Sequence, residues 1–271
     1  MYNAYWGLKD KPFENTPDPR FTYFTPQHEE GLSRLLYAVR EGKGAAMMTG
    51  VFGCGKTLLG HVLLKELEKD IYRTAFLVNP QMDYLELLMA IATALGERDL
   101  PVKRTEILAN VALNKLQTIL QNNARDGKRT VVIIDEAHVI EERVVWEGLR
   151  LLMNFQEETR CILTLIFLGQ PELREKIDTN KQLSQRIPLR CHLEPLSQEQ
   201  TKAYILHRLK VVGREEPLFL EEVFPMIYDK SGGIPRRINN LCDLVLLNGF
   251  GKKTKQVDTA CLQEAVRDIE G

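Results

Sequence analysis

A glycine-rich segment, GVFGCGKT at Gly50–Thr57, constrains this chain more than any other feature of its sequence. It follows the short apolar run GAAMMTG and precedes LLGHVLLKELEK, in which apolar residues recur at helical spacing. The pattern GxxxxGK[ST] binds phosphate when it joins a strand to a helix, because its glycines let successive N–H groups point into one concavity. The positive end of the dipole of the following helix also attracts the negatively charged phosphate. The sequence therefore predicts a phosphate-binding loop.

Individual residues of this loop have separate predicted roles. Lys56 would place a point charge on the β- and γ-phosphates of a nucleotide, and the Thr57 hydroxyl would bind Mg²⁺. The predicted nucleotide-binding residues are Gly50, Val51, Phe52, Gly53, Cys54, Gly55, Lys56, Thr57 and Leu58.

Cys54 raises a further hypothesis within the loop. Helix N–H groups lower the pKa of a nearby thiol, so oxidation of Cys54 would switch off nucleotide binding. The competing interpretation is a small residue tolerated at a variable loop position.

A second motif, VVIIDEAH at 131–138, supports the first. Its four consecutive β-branched residues suit a strand buried on both faces. Asp135 comes at the carboxyl end of that strand, which is where open α/β sheets bind ligands. We expect Asp135 to support the magnesium shell and Glu136 to orient or deprotonate the attacking water. His138 is interpreted as a packing residue, or as one that supports the catalytic side chains without itself acting as a catalyst, and is left outside the site. Together the motifs predict an ATPase with ATP and Mg²⁺ as its ligands.

Strand and helix patterns alternate over the first two thirds of the chain. They predict an α/β fold: a parallel, helix-flanked sheet of about five strands, followed by a C-terminal all-helical lid. The predicted domains are a strap rich in aromatic residues and proline at 1–26, an ATPase core at 27–195 and a lid at 196–271. We expect the strap to pack on the domain that follows it. Within the lid, Ser197 and Asp258 are predicted helix N-caps, and Gly232 and Gly249 are predicted helix ends.

The bulk composition limits the class of protein. In 271 residues, 44% are hydrophobic and 27% charged, as in ordinary globular proteins, and the net charge of −1 argues against coating of nucleic acid by bulk charge. Five scattered cysteines without a CxxC pair support neither a disulfide framework nor a zinc site. The sequence contains neither a signal peptide nor a membrane-spanning run of about 20 apolar residues. We expect a cytoplasmic location, with peripheral association at the inner membrane as an alternative.

The two motifs, with a helical subdomain behind the sheet, resemble the AAA+ ATPases. Within them the chain is similar to the ExeA/GspA-type group, and its core also looks like the TniB/TnsC-like transposition ATPases. The stretches that carry the likeness run from residue 6 to about 243: WGLKDKPF, TPDPRFTYFTPQHEEGLSRLLYAV, the glycine-rich loop, IIDEAH, FLGQPELREKI, LSQRIPLRCHLEPLS and SGGIPRRINNLCD.

This resemblance implies three further catalytic positions. Gln170 stands where AAA+ proteins place a polar sensor, although a polar residue at a helix start is an equal alternative. Arg186 corresponds to the arginine finger that acts on a neighbouring subunit, with Arg190 as its competitor, and a plain surface charge is the alternative interpretation of either. Arg236 matches the lid arginine that reaches the phosphates, with Arg237 as the adjacent alternative.

The resemblance also places the adenine pocket near Tyr23, Phe24 and His28, for which hydrophobic packing of the strap is an equal interpretation. It implies a homo-oligomer, because a finger supplied in trans needs adjacent subunits.

The function implied by the resemblance is ATP hydrolysis that drives assembly or remodelling of a cell-envelope apparatus of the type II secretion or pilus kind. Members of that group commonly continue into a transmembrane helix and a peptidoglycan-binding domain. We therefore expect this chain to be the ATPase portion of a longer protein or a stand-alone member that docks on a membrane-protein partner. The alternatives are a DNA-associated regulator of the transposition type, which the net charge disfavours, and a scaffold that binds ATP without turnover.

Overall fold

The computed structural model describes residues 2–16, 18–98, 109–157 and 160–270. The strands are β1 (Ala45–Gly50), β2 (Tyr72–Leu77), β3 (Arg129–Ile134), β4 (Gln156–Glu157), β5 (Arg160–Cys161), β6 (Leu163–Gly169) and β7 (Leu189–Leu193). A five-stranded parallel sheet with the order β2-β3-β6-β1-β7 forms the centre of the fold, which confirms the predicted fold class. The short strands β4 and β5 form a separate antiparallel pair.

Central strands of this sheet are apolar because both of their faces are covered. β1 and β6 are buried along their whole length, and β3 is buried from its second residue onward. The register pairs Ile134 with Phe167 and Thr49 with Gly169, so β1, β3 and β6 end at one edge of the sheet. That edge is where parallel sheets hold ligands.

Helices of the sheet-containing part precede its first strand or connect its strands. They are α2 (Pro26–Arg40), α3 (Lys56–Glu66), α4 (Tyr84–Ala94), α5 (Ala109–Arg125), α6 (Arg143–Leu152), α7 (Glu172–Thr179) and α8 (Lys181–Gln185). α4 begins with a capping box, in which Asp83 and Glu86 each accept a hydrogen bond from the other's backbone N–H. The apolar periodicity of the sequence predicts a helix over about residues 105–125; α5 starts at Ala109 in the described chain, and residues 105–108 lie outside the described ranges.

A second cluster contains α1 (Tyr2–Trp6), α9 (Gln198–Val211), α10 (Val223–Ser231), α11 (Pro235–Lys252) and α12 (Thr259–Glu270). Ser197 caps α9 with a capping box, the Asp258 carboxylate accepts from Cys261 N–H at 2.9 Å, and Gly232 ends α10 in the left-handed conformation. Gly249 does not end a helix, contrary to the prediction. α11 continues through it to Lys252 and is followed by Lys253 with φ +57°.

The N-terminal strap packs on these C-terminal helices. Trp6, Phe13 and Phe21 are buried in the same cluster as α9–α12, and Trp6 Nε1 donates to Leu246 O at 2.9 Å. Arg208, buried on α9, donates to Pro12 O and to Glu14 O. The expectation that the strap packs on the domain following it is therefore wrong, because the cluster that covers these aromatic residues lies at the other end of the chain.

Residue contacts divide the chain into two compact units. One contains Met1–Pro26, Val51–Leu58 and Glu194–Gly271, and the other contains Gln27–Gly50 and Leu59–Leu193. The glycine-rich loop thus groups with the strap and the C-terminal helices. Within the described ranges, none of the helices combines the length and the apolar character needed to cross a membrane.

Candidate nucleotide site

The glycine-rich loop leaves the sheet at Gly50 and ends where α3 begins at Lys56. Gly53 and Gly55 have φ values of +88° and +97°, which residues with a Cβ rarely adopt. Gly50 has a different reason to be glycine, since a Cβ there would lie 2.8 Å from Leu193 O on the neighbouring strand. The loop conformation therefore depends on glycine at all three positions.

Two loop residues carry the predicted phosphate and magnesium chemistry. Lys56 is only 4% exposed, and its Nζ donates to Val51 O at 3.1 Å, which holds the ammonium over the loop. Thr57 follows it in the first turn of α3 and is partly buried. Val51 and Leu58 are also partly buried.

Arg236 is brought to the loop by the start of α11. Its backbone N–H donates to Gly53 O at 3.3 Å, and its guanidinium carbon lies 4.3 Å from the centre of the Phe52 ring. A Cβ on Gly53 would meet Arg236 Cβ at 2.8 Å, so glycine permits this close approach. Arg237 is exposed and has no comparable contact with the loop among the described residues. The geometry favours Arg236 over Arg237 as the residue that faces bound phosphates.

The start of α11 is itself fixed by the sequence around it. Gly233 has φ +69°, and a Cβ there would lie 2.0 Å from Leu196 O, so only glycine fits. The next turn begins with Pro235 at a first-turn position of the helix, where its missing N–H costs nothing. These constraints position Arg236 in the first turn.

Cys54 does not have the environment that the oxidation hypothesis requires. Its side chain is buried, and burial raises the pKa of the Cys54 thiol to about 11, although nearby Lys56 opposes this shift. The thiol stays protonated at neutral pH, whereas oxidation and alkylation need the thiolate. The interpretation as a small loop residue fits the structure better.

Asp135 and Glu136 follow β3 at the edge of the sheet where β1 and β6 also end. Asp135 is 1% exposed, its N–H donates to Leu77 O at 2.8 Å, and its carboxylate accepts from Glu136 N–H at 2.9 Å. Glu136 has φ +53° and ψ +32°, a left-handed conformation that is uncommon for a residue with a Cβ. Such strain occurs preferentially at functional sites.

The two predicted magnesium ligands are each of a chemical type that Mg²⁺ binds. Mg²⁺ prefers oxygen ligands, takes few of them from protein and fills the rest with phosphate and water. The Asp135 carboxylate and the Thr57 hydroxyl are oxygen donors of this kind. In the part of the chain that the structure describes, no group of three or more His, Cys, Asp or Glu side chains could hold a metal alone.

Gln170 and His138 form a contact that the sequence did not predict. Gln170 follows β6, and its side-chain Nε2 lies 2.9 Å from His138 Nε2. His138 Nδ1 lies 3.4 Å from Glu136 Oε2. His138, interpreted from the sequence as a packing residue or as a support for the catalytic side chains, thus lies between two predicted catalytic residues. Only its position two residues after Glu136 could have indicated this.

Arg186 and Arg190 differ in how tightly their side chains are held. The Arg190 guanidinium donates to Asp178 Oδ1 at 2.6 Å, to Ser184 Oγ at 2.8 Å and to Ile187 O at 3.1 Å. The Arg186 side chain is partly exposed and makes no such bond with any residue in the described ranges. A finger must reach another subunit, so Arg186 stays the candidate of the two, although a side chain without such bonds also agrees with the surface-charge interpretation.

The candidate adenine-pocket residues have separate environments. Tyr23 packs against Tyr204 and His207, with ring centres 6.1 and 5.6 Å apart. Phe24 is 39% exposed, and His28 is buried on α2. The packing interpretation therefore fits Tyr23 and His28, whereas the ring of Phe24 is accessible to solvent.

Known proteins are similar in sequence to this chain. The AAA domain family matches residues 39–177. General secretion pathway protein A of Aeromonas hydrophila is 34% identical over the whole chain. The chain spans 49% of that relative's length.

Solved structures show the same fold at low identity. Cdc6p from Pyrobaculum aerophilum has a TM-score of 0.76 at 16% identity, over 96% of this chain and 71% of its own. Aeropyrum pernix ORC1 in complex with DNA has a TM-score of 0.71 at 18% identity, over 92% of this chain and 67% of its own. A Thermotoga maritima RuvB variant has a TM-score of 0.57 at 19% identity, over 88% and 68%.

Proposed function

Because this chain belongs to the AAA domain family, we propose that it is an ATPase that hydrolyses magnesium-bound ATP through the glycine-rich loop and the Asp135–Glu136 pair. The observation that carries the proposal is the loop itself. Gly53 and Gly55 have positive φ, and the buried Lys56 ammonium is held over the loop. A loop of this form presents N–H groups and a positive charge to phosphate oxygens.

Each residue has one role in the proposed reaction. The loop N–H groups and Lys56 bind the β- and γ-phosphates, and Arg236 adds positive charge from the start of α11. Glu136 orients the attacking water and accepts its proton, while the Gln170 amide contacts the water or the γ-phosphate. Thr57 and Asp135 would hold Mg²⁺, which neutralises phosphate charge when bound. Arg186 would stabilise the transition state in a neighbouring subunit.

We infer that hydrolysis drives assembly or remodelling of a cell-envelope apparatus, since the 34% identical relative is called General secretion pathway protein A. Such a role needs a membrane-protein partner and brings the chain to the inner membrane as a peripheral component.

Two substitutions test the ATPase proposal. We expect Lys56→Ala to lose ATP binding, because the phosphate charge is no longer compensated. We expect Glu136→Gln to keep binding and lose turnover by about 100-fold or more, since the amide cannot take the proton of water. Binding is measured with a fluorescent ATP analogue and turnover by phosphate release, with EDTA as the magnesium control. Wild-type protein that binds ATP without turnover under every condition would instead indicate a scaffold.

The transposition-type alternative makes a different prediction. A protein that polymerises on duplex DNA would be retained on it with ATP and released steeply by salt, because phosphate contacts displace counterions. The net charge of −1 leads us to expect no such retention at low salt. Retention that depends on ATP and salt would favour the DNA-associated role over the envelope role.

A further inference from the structure

His138 is held in a fixed place between two groups that the proposed function uses. Its ring lies 3.4 Å from the Glu136 carboxylate at Nδ1 and 2.9 Å from the Gln170 amide at Nε2. Gln170 also approaches through its backbone, whose N–H points at His138 Nδ1 from 3.4 Å. The side chain is 14% exposed. His138 therefore contacts the candidate base on one side and the candidate sensor on the other.

The backbone that carries this ring is restrained as well. His138 lies in the short 3-10 turn Ala137–Val139, and its carbonyl accepts from Lys176 Nζ at 2.5 Å. The same ammonium donates to Ile140 O at 3.1 Å. At Gly169, the last residue of β6, a Cβ would approach His138 N to 3.3 Å. The turn and the end of β6 are thus packed closely, which fixes the backbone that carries the ring beside Gln170.

The chemistry of a neutral imidazole links its two contacts. One ring nitrogen donates a proton and the other accepts one. If Nδ1–H faces the Glu136 carboxylate, Nε2 accepts from the Gln170 side-chain N–H. If Nε2 carries the proton, it donates to the Gln170 side-chain oxygen, and Nδ1 accepts from the Gln170 backbone. The orientation of the Gln170 amide and the partner of Glu136 therefore change together.

We propose that His138 is a positioning residue that couples the orientation of the Glu136 carboxylate to that of the Gln170 amide. The proposal rests on the proposed function for the roles of Glu136 and Gln170. His138 acts through these neighbours and does not itself contact the reacting atoms. Removing either partner of a coupled pair should break the same link, so the effects of two substitutions should not multiply.

Kinetics of four variants test the coupling. We expect His138→Ala and Gln170→Ala each to lower kcat by about tenfold with little change in the KM for ATP, and the double variant to be no slower than the slower single variant. His138→Gln, whose amide can still pair with Gln170, should recover part of the rate. An unchanged kcat in His138→Ala, or effects that multiply in the double variant, would overturn the proposal.

His61→Ala is the matched control. His61 lies in the same unit, and its ring stacks on Phe76 with centres 4.6 Å apart. Its removal should lower stability without changing kcat. Thermal unfolding of all variants separates loss of fold from loss of coupling.

A second measurement does not depend on turnover. In protein with ¹⁵N-labelled histidine, NMR resolves the ring nitrogens of the five histidines. Gln170→Ala and Glu136→Gln should each shift the His138 ring signals and leave those of His61 unchanged. Unshifted His138 signals would disprove the coupling. If the variants shift the His138 signals but the wild-type protein shows no turnover, the result would support the coupling and count against the proposed function.

Discussion

Among single residues, Glu136 combines a carboxylate at the edge of the sheet with a backbone conformation that costs free energy. Its φ of +53° brings a Cβ close to its own backbone, and its N–H is fixed by the Asp135 carboxylate at 2.9 Å. Lys253 has nearly the same conformation, with φ +57°, but ends a helix outside the site. Substitutions at Glu136 and Lys253 therefore separate two effects. One is the free energy that the positive φ costs, and the other is the catalytic role of the Glu136 side chain.

We predict that Glu136→Gly raises the free energy of unfolding by about 1 kcal/mol, because glycine adopts positive φ without strain. Glu136→Gln keeps the Cβ and should stay within about 0.5 kcal/mol of the wild type. Both variants should lose turnover. Lys253→Gly, the control, should gain stability and keep turnover. Urea unfolding measures the stabilities, and a stability loss in Glu136→Gly would show that the conformation is not strained.

Among the helices and strands, α11 connects the strap to the glycine-rich loop. Its first turn presents Arg236 to Gly53 and Phe52, and its last part lies against Trp6. Gly249 lies in the interior of this helix because a Cβ there would meet Trp6 Cζ2 at 2.9 Å and Thr254 Oγ1 at 3.0 Å. Glycine is therefore retained for packing at a position where the sequence suggested a helix end.

Two glycines of α11 should respond to alanine with opposite signs. Gly249→Ala should lower the free energy of unfolding by about 1–3 kcal/mol, since the added methyl group overpacks against Trp6. A methyl group added to Gly251 on the same helix would have no described atom within 4 Å, so Gly251→Ala should raise stability by up to about 1 kcal/mol. Thermal or urea unfolding of both variants checks the pair. Equal effects would show that Trp6 does not limit the space at Gly249.

For the molecule as a whole, catalysis is proposed to need more than one copy of the chain. The Arg190 side chain is engaged by Asp178 and Ser184, whereas the Arg186 side chain forms no hydrogen bond or ion pair within the described ranges. An arginine that completes a neighbour's site makes specific activity depend on protein concentration, because the subunits must meet.

Mixing two inactive variants tests a finger supplied in trans. Arg186→Ala keeps its own Glu136, and Glu136→Gln keeps its own Arg186, so random assembly of equal amounts should restore about a quarter of wild-type turnover. The control mixture of Lys56→Ala with Glu136→Gln should stay inactive, since no subunit in it carries both Lys56 and Glu136. Recovery is measured as phosphate release over a range of concentrations. Full activity of Arg186→Ala alone, or no recovery on mixing, would exclude this role.

Local patterns of residues were sufficient to predict the fold class and the separate parts of the candidate site. β-branched residues at 131–134, the loop from Gly50 to Thr57 and the caps at Ser197 and Gly232 follow from steric and hydrogen-bonding rules that act over a few residues. Such rules can be applied to the sequence alone, because each depends on residues close together in the chain.

Which distant residues meet could be learned only from the folded chain. The strap packs on helices about 200 positions away, Arg236 reaches the loop, and His138 lies between Glu136 and Gln170. Burial also raised the pKa of the Cys54 thiol where the local helix suggested the opposite. Contacts between remote segments and the desolvation they cause depend on how the whole chain packs, which no local pattern of residues specifies.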